Sequence, residues 1–156
     1  EQILKTIGAE QTGTGSWKFG RDAVREFLTG LGIPEDDFEL ADGSGLSRGN
    51  RVTPRMITAI LRSDAAAALR DPELDLLPVA GVDGTLESRM ERKPYRETVR
   101  AKTGYLYGVG ALGGYVHGPE GRKIVFSVII NDFKGGNTTM KRVEDNVARA
   151  IVDFVR

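Results

Sequence analysis

No cysteine occurs among the 156 residues, which excludes a disulfide framework and thiolate chemistry. Histidine and tryptophan occur once each. No apolar run approaches the ~20 residues of a membrane-spanning helix. No signal-peptide pattern opens the chain, an absence that carries weight only if the true N-terminus is here. The 22 basic and 22 acidic residues cancel, so no net field draws the chain to nucleic acid or a membrane surface. What is there is the composition of a soluble globular domain, 40% hydrophobic and 28% charged. The length is enough for one domain with its own core.

Helix and strand patterns alternate, with no repeat and no internal domain boundary expected. Ile3, Leu4 and Ile7 share a helical face, with Gly8 as a stop and a Gly/Thr-rich loop to Gly15. This helix begins at the first residue without a capping side chain. That fits either a cut inside a larger fold or a natural terminus that frays. Ser16 is placed to cap a helix carrying Val24, Phe27, Leu28 and Leu31, which Gly30 and Gly32 end. Thr53-Pro54 starts another, with Met56, Ile57, Ile60 and Leu61 as its buried stripe. Ala65–Leu69 extends it or forms a further helix, stopped by Asp71-Pro72.

Four strands are expected at Phe38–Leu40, Val99–Tyr107, Ala111–Val116 and Lys123–Asn131. They are expected in one largely antiparallel sheet. The nearly unbroken apolar run Ile124–Ile130 reads as a central strand covered on both faces. The segment from Met140 to Arg156 is the clearest helix. Val143, Val147, Ala150, Ile151 and Phe154 form its expected buried stripe, with Glu144 and Asp145 off it.

The chemistry concentrates at Lys102-Thr103-Gly104, on the second of these strands. Lysine supplies a cation and threonine a hydroxyl, both suited to a carboxylate. Glycine lets another backbone lie against the strand. Alone, the tripeptide is equally a strand end with a solvated lysine. Lys-Thr-Gly is one of three elements of penicillin-recognising serine enzymes. The other two are missing. No serine has lysine three residues on, and none has asparagine two residues on. Thr138-x-x-Lys141 has the first spacing, but with threonine in place of serine.

Three segments occur in order: Asp42-Gly-Ser-Gly-Leu-Ser-Arg48, Leu77-Pro-Val-Ala-Gly-Val-Asp-Gly-Thr-Leu86 and Ala101-Lys-Thr-Gly104. A hairpin and a helix follow. Across essentially its whole length the chain resembles the C-terminal part of the class C low-molecular-mass penicillin-binding proteins. These are D-alanyl-D-alanine carboxypeptidase/endopeptidases of the bacterial cell envelope. The resemblance implies an α+β fold, with an antiparallel sheet flanked by helices. It would be part of a serine β-lactamase/transpeptidase-like fold whose nucleophile is not in this chain. It places a Ser-x-Asn element within about five residues before Glu1, one helical turn and a short loop away.

The same resemblance assigns roles. Lys102 is implied as a catalytic cation, and Thr103 as a ligand of the substrate's terminal carboxylate. Gly104 is implied as the point of close substrate approach. The Tyr105 N–H is a candidate oxyanion donor. Ser44, Gly45 and Leu46 would shape a cleft wall, and Arg48 would meet an acidic group of the stem peptide. The residues of that loop equally fit a glycine-rich turn in which Asp42 and Ser44 satisfy local backbone groups. The implied partners are stem peptides ending in D-Ala-D-Ala, β-lactams as inhibitors and the N-terminal remainder of the same protein. The implied location is outside the cytoplasm. No cofactor, metal or nucleic acid is implied. This chain alone is expected to be inactive, and a non-catalytic penicillin-binding-like scaffold is the alternative.

Tyr105 departs from the resemblance, because a small hydroxyl residue usually follows Lys-Thr-Gly. Tyr107 also stands where a small residue is usual. Gly108-Val-Gly-Ala-Leu-Gly113 fits the dinucleotide pattern, but Gly114-Tyr-Val-His-Gly-Pro cannot open the helix that pattern needs. His117 sits beside a turn with no serine or aspartate pattern to make a triad.

Overall fold

A computed structural model of the chain describes residues 1–70 and 76–156. It divides into two compact units, Glu1–Ile60 and Leu61–Arg156. The sequence hides this division because a continuous helix runs across it, with no glycine or proline break.

The first unit opens with α1 (Gln2–Thr12) and α2 (Trp17–Gly30). α1 does not stop at Gly8. It continues to Thr12 and ends at Gly13, whose φ of 75° suits a left-handed cap. Gly8 is instead where the two helices touch. A Cβ there would lie 2.7 Å from the Gly20 nitrogen, so the glycine serves close packing rather than termination. Ser16 caps α2 as expected, its Oγ accepting from the Phe19 N–H at 3.1 Å.

β1 (Phe38–Glu39) pairs antiparallel with β2 (Arg51–Val52), a strand too short to leave a pattern. The expected strand at Phe38 therefore belongs to a separate two-stranded ribbon, not to the main sheet. α3 (Pro54–Arg62) follows, and the Thr53 Oγ1 accepts from the Met56 N–H at 3.1 Å. Leu28, Ile33, Phe38 and Met56 form the unit's core. Buried Asp37 is held by a fork from Arg55, Nε at 2.9 Å and Nη2 at 2.7 Å.

The second unit carries β3 (Val99–Leu106), β4 (Val109–His117), β5 (Lys123–Ile130) and α4 (Asn137–Val155). A 3-10 segment, Asp64–Arg70, precedes the sheet, and the expected stop at Asp71-Pro72 lies outside the described residues. The strand order is β3-β4-β5, antiparallel throughout. β4, not β5, is thus the middle strand among the described residues. β5 is apolar because Phe126 enters the core while Ile124 and Val128 pack against it.

Of the expected α4 stripe only Ile151 packs against the core, and a neighbouring face covers the sheet. Met140, Glu144, Asp145, Ala148, Val152 and Val155 are buried. Val143, Val147 and Phe154 are exposed, Phe154 at 84%. The two acids turn inward because a buried arginine meets them. Arg89 Nε donates to Asp145 at 2.8 Å, and its Nη2 donates to Glu144 at 3.0 Å. No helix among the described residues is long and apolar enough to cross a membrane.

Candidate active site

β3 and β4 meet in a two-residue turn, Tyr107-Gly108, with Gly108 at a φ of 75°. Register pairs Lys102 with Gly113, Thr103 with Leu112 and Gly104 with Ala111. Of the dinucleotide-like glycines, Gly108 serves the turn and Gly110 serves packing. A Cβ on Gly110 would lie 2.6 Å from the Met140 sulfur and 2.7 Å from Glu144 Oε1, so glycine lets α4 sit close.

The outer edge of β3 changes character along its length. Ala80 N–H donates to the Val99 carbonyl at 2.9 Å, and Ala101 N–H donates to the Pro78 carbonyl at 3.0 Å. These bonds close the edge at residues 99–101. They also fix which residues direct their backbone groups outward, since strand groups alternate. By that alternation the N–H and C=O of Thr103 and Tyr105 face the outer edge, beyond the stretch that Pro78–Ala80 covers.

Three functional groups gather at this open stretch. Lys102 is exposed, and its ammonium donates to the Thr103 carbonyl at 2.7 Å. Thr103 Oγ1 donates to Thr85 Oγ1 at 3.0 Å. Tyr105 is 56% exposed, so its bulk stands at the rim without displacing the strand. Gly104 is exposed too, and a Cβ there would meet only Ala111 Cβ, at 3.3 Å. A cavity of ≈ 220 Å³ adjoins the strand, lined by Thr85, Thr103, Tyr105, Asn137, Lys141 and Glu144 among others.

Burial pushes the Glu144 carboxyl above its ordinary value, and the Arg89 charge opposes that rise. His117 is half-buried, and burial followed by the charges of Lys123 and Arg100 depresses its pKa. A neutral imidazole at the end of β4 has no part in the arrangement above.

Ser44, Gly45, Leu46 and Arg48 lie in the first unit, whereas β3 lies in the second. Their loop is organised by Asp42. Its Oδ1 accepts from the Gly45 N–H at 2.9 Å and the Asn50 side-chain amide at 2.6 Å. Its Oδ2 accepts from the Ser44 hydroxyl at 3.0 Å and the Ser47 N–H at 2.9 Å. Asp42 is thus the loop's internal anchor, and Leu46, 70% exposed, is what the loop presents.

These bonds, led by the Asn50 amide, hold the Asp42 carboxyl below the usual carboxylate range. A depressed carboxyl stabilises the fold above its unfolded pKa, and that contribution goes as pH falls through the folded value. Amide exchange protection at Gly45 and Ser47 is therefore expected to drop in acid, below the ordinary aspartate range. Asp42→Asn is expected to remove this pH dependence.

Sequence reasoning missed Asn50, Thr85 and Arg89. Arg89 had a visible signal, an arginine inside Leu86-Glu-Ser-Arg-Met90 matched by two acids within an apolar helix. Thr85 had none, because a threonine in a turn is ordinary.

The profile of the D-Ala-D-Ala carboxypeptidase 3 (S13) family matches residues 1–154. The D-alanyl-D-alanine carboxypeptidase of Actinomadura sp. (strain R39) is 40% identical over 159 residues, covering 99% of this chain and 29% of that protein. The D-alanyl-D-alanine carboxypeptidase DacB of Haemophilus influenzae is 37% identical, covering 81% of this chain and 27% of that one. The chain thus spans under a third of the length of these relatives. The crystal structure of penicillin binding protein 4 from Haemophilus influenzae, complexed with a β-lactam, superposes with a TM-score of 0.80. That match has 30% identity and covers 96% of this chain and 37% of that one. The fold is the mixed helix and antiparallel-sheet fold expected from the sequence, and the chain belongs to the D-Ala-D-Ala carboxypeptidase 3 (S13) family.

Proposed function

We propose that the protein containing this chain is a serine-type D-alanyl-D-alanine carboxypeptidase/endopeptidase of peptidoglycan, acting outside the cytoplasm and inhibited by β-lactams. The observation that carries this reading is the open stretch of β3, where Lys102, Thr103 and the outward Tyr105 N–H share one strand edge. An ammonium and a hydroxyl suit a terminal carboxylate, and an outward N–H suits an oxyanion. The nucleophile is supplied by a part of the protein outside these residues, since no Ser-x-x-Lys occurs here. The serine attacks the D-Ala-D-Ala carbonyl, the leaving D-alanine takes a proton, and water hydrolyses the acyl-enzyme.

Lys102 supplies the cation, and Thr103 holds the carboxylate. Gly104 keeps the strand surface low for the incoming peptide. Ser44, Gly45 and Leu46 shape a wall, and Arg48 meets an acidic group on the stem. Arg48→Ala in the complete protein is expected to raise KM about tenfold for stem peptides with an acidic branch, as for loss of one charge-assisted contact. An unchanged KM for acidic stems in that variant would remove the role.

Intact mass after incubation with benzylpenicillin tests the whole reading. The complete protein is expected to gain one penicilloyl adduct, and this chain alone none. An adduct on this chain alone would reveal a nucleophile within it. No adduct on the complete, folded protein would favour a non-catalytic scaffold.

A further inference from the structure

Thr85 sits in the 3-10 turn Gly84–Leu86, and its hydroxyl meets the Thr103 hydroxyl at 3.0 Å. The turn is a rigid mount. Leu86 is fully buried, its N–H donates to the Asp83 carbonyl at 3.2 Å, and the Gly81 N–H donates to the Leu86 carbonyl at 3.0 Å. The Asp83 side chain locks the same turn by accepting from the Val79 N–H at 2.7 Å. A hydroxyl on such a mount, aimed at the one hydroxyl of the Lys-Thr-Gly element, fixes how that hydroxyl presents its proton.

We propose that Thr85 is a positioning residue that sets the Thr103 hydroxyl to donate to the substrate's terminal carboxylate. The inference rests on the carboxypeptidase reading above. In the structure Thr103 donates to Thr85. A carboxylate only accepts, so on its arrival Thr103 must turn its single proton toward the anion. Thr103 then has a lone pair facing Thr85, which donates in turn. Thr85 passes from acceptor to donor by a rotation about one C–O bond, and no heavy atom moves. A hydroxyl that accepts one hydrogen bond donates a stronger one, so the pair favours the anion more than Thr103 alone would. Lys141 lines the same cavity, as does the Glu144 carboxyl. A C-terminal amide carries no charge and offers one weaker acceptor, so it gains little from the pair.

The test compares Thr85→Val, Thr85→Ser, Thr103→Val and the Val/Val double variant in the complete protein. The substrates are a peptide ending in D-Ala-D-Ala and the same peptide as its C-terminal amide. Thr85→Val keeps the side-chain shape and is expected to lower kcat/KM for the acid about fivefold, the scale of one neutral hydrogen bond. It is expected to leave the amide unchanged. Thr85→Ser is expected to restore the acid. In a Thr103→Val background, Thr85→Val is expected to cost nothing further. Wild-type behaviour of Thr85→Val, a parallel fall on both substrates, or independent losses at the two positions would each overturn the proposal. A wild-type protein with neither turnover nor a penicilloyl adduct overturns the carboxypeptidase reading and this inference together. An active wild type with an indifferent Thr85→Val overturns this inference alone.

Discussion

Arg89→Ala is expected to lower the stability of the protein by about 3–5 kcal/mol, the cost of removing one partner from a buried ion pair. The guanidinium is 6% exposed and faces Glu144 and Asp145 at 3.0 and 2.7 Å. It also donates to the Lys141 carbonyl at 3.3 Å, so it ties the segment after the Thr85 turn to α4. Without it, two buried carboxylates stand side by side. Glu144 is already pushed upward by burial, and the variant deletes the charge that opposes the push.

The loss therefore depends on pH, and its sign follows from proton counting. A carboxyl raised in the folded state binds more protons there than in the unfolded chain, so stability falls as pH rises through that window. Arg89→Ala is expected to be less damaging near pH 5 than at pH 8, read by urea unfolding. Arg89→Met with Glu144→Leu and Asp145→Leu is expected to recover most of the loss, because an apolar replacement leaves no buried charge. An Arg89→Ala variant within about 1 kcal/mol of wild type at pH 8, where exposed pairs lie, would show that the cluster is not buried in solution.

Lys102→Ala is expected to slow penicilloylation of the complete protein about 100- to 1,000-fold, the range for loss of one preorganised electrostatic partner of the reacting groups. The lysine is exposed and, among the described residues, bonds only its neighbour's carbonyl, so the folded state loses little with it. Stability is expected to stay within about 0.5 kcal/mol, as for other surface substitutions. Lys102→Arg is expected to recover only part of the rate. It keeps the charge but spreads it over a larger, planar group. Adduct formation by Lys102→Ala at the wild-type rate, measured as intact mass against time, would remove Lys102 from the chemistry.

What the sequence shows and hides follows from how local each signal is. The caps at Ser16 and Thr53 are legible because donor and acceptor lie three residues apart. The β3–β4 hairpin is legible because a two-residue turn carries its own glycine. The Lys102–Gly104 element is legible as a tripeptide, and its neighbours in sequence carry the resemblance.

The failures are non-local. Gly8 reads as a helix stop unless Gly20 is known to press against it. β1 finds its partner only across the Asp42 loop. The buried face of α4 is hidden because most of its sharpest apolar stripe, Ile151 apart, is exposed. The inward acids make sense only with an arginine 55 and 56 residues earlier. Thr85 is hidden for the same reason, since its partner lies 18 residues on.

The closed and open stretches of β3 act together as a ruler. A peptide laid antiparallel on the outer edge can pair with Tyr105 and Thr103, and at Ala101 it meets groups already engaged by Pro78. Antiparallel pairing points its C-terminal end toward that stop. A chain that continued would have to leave the strand there, whereas one that ends there loses nothing. On the proposed carboxypeptidase reading, a preference for a peptide's terminus over its interior would follow from where a neighbouring segment stops bonding to the strand.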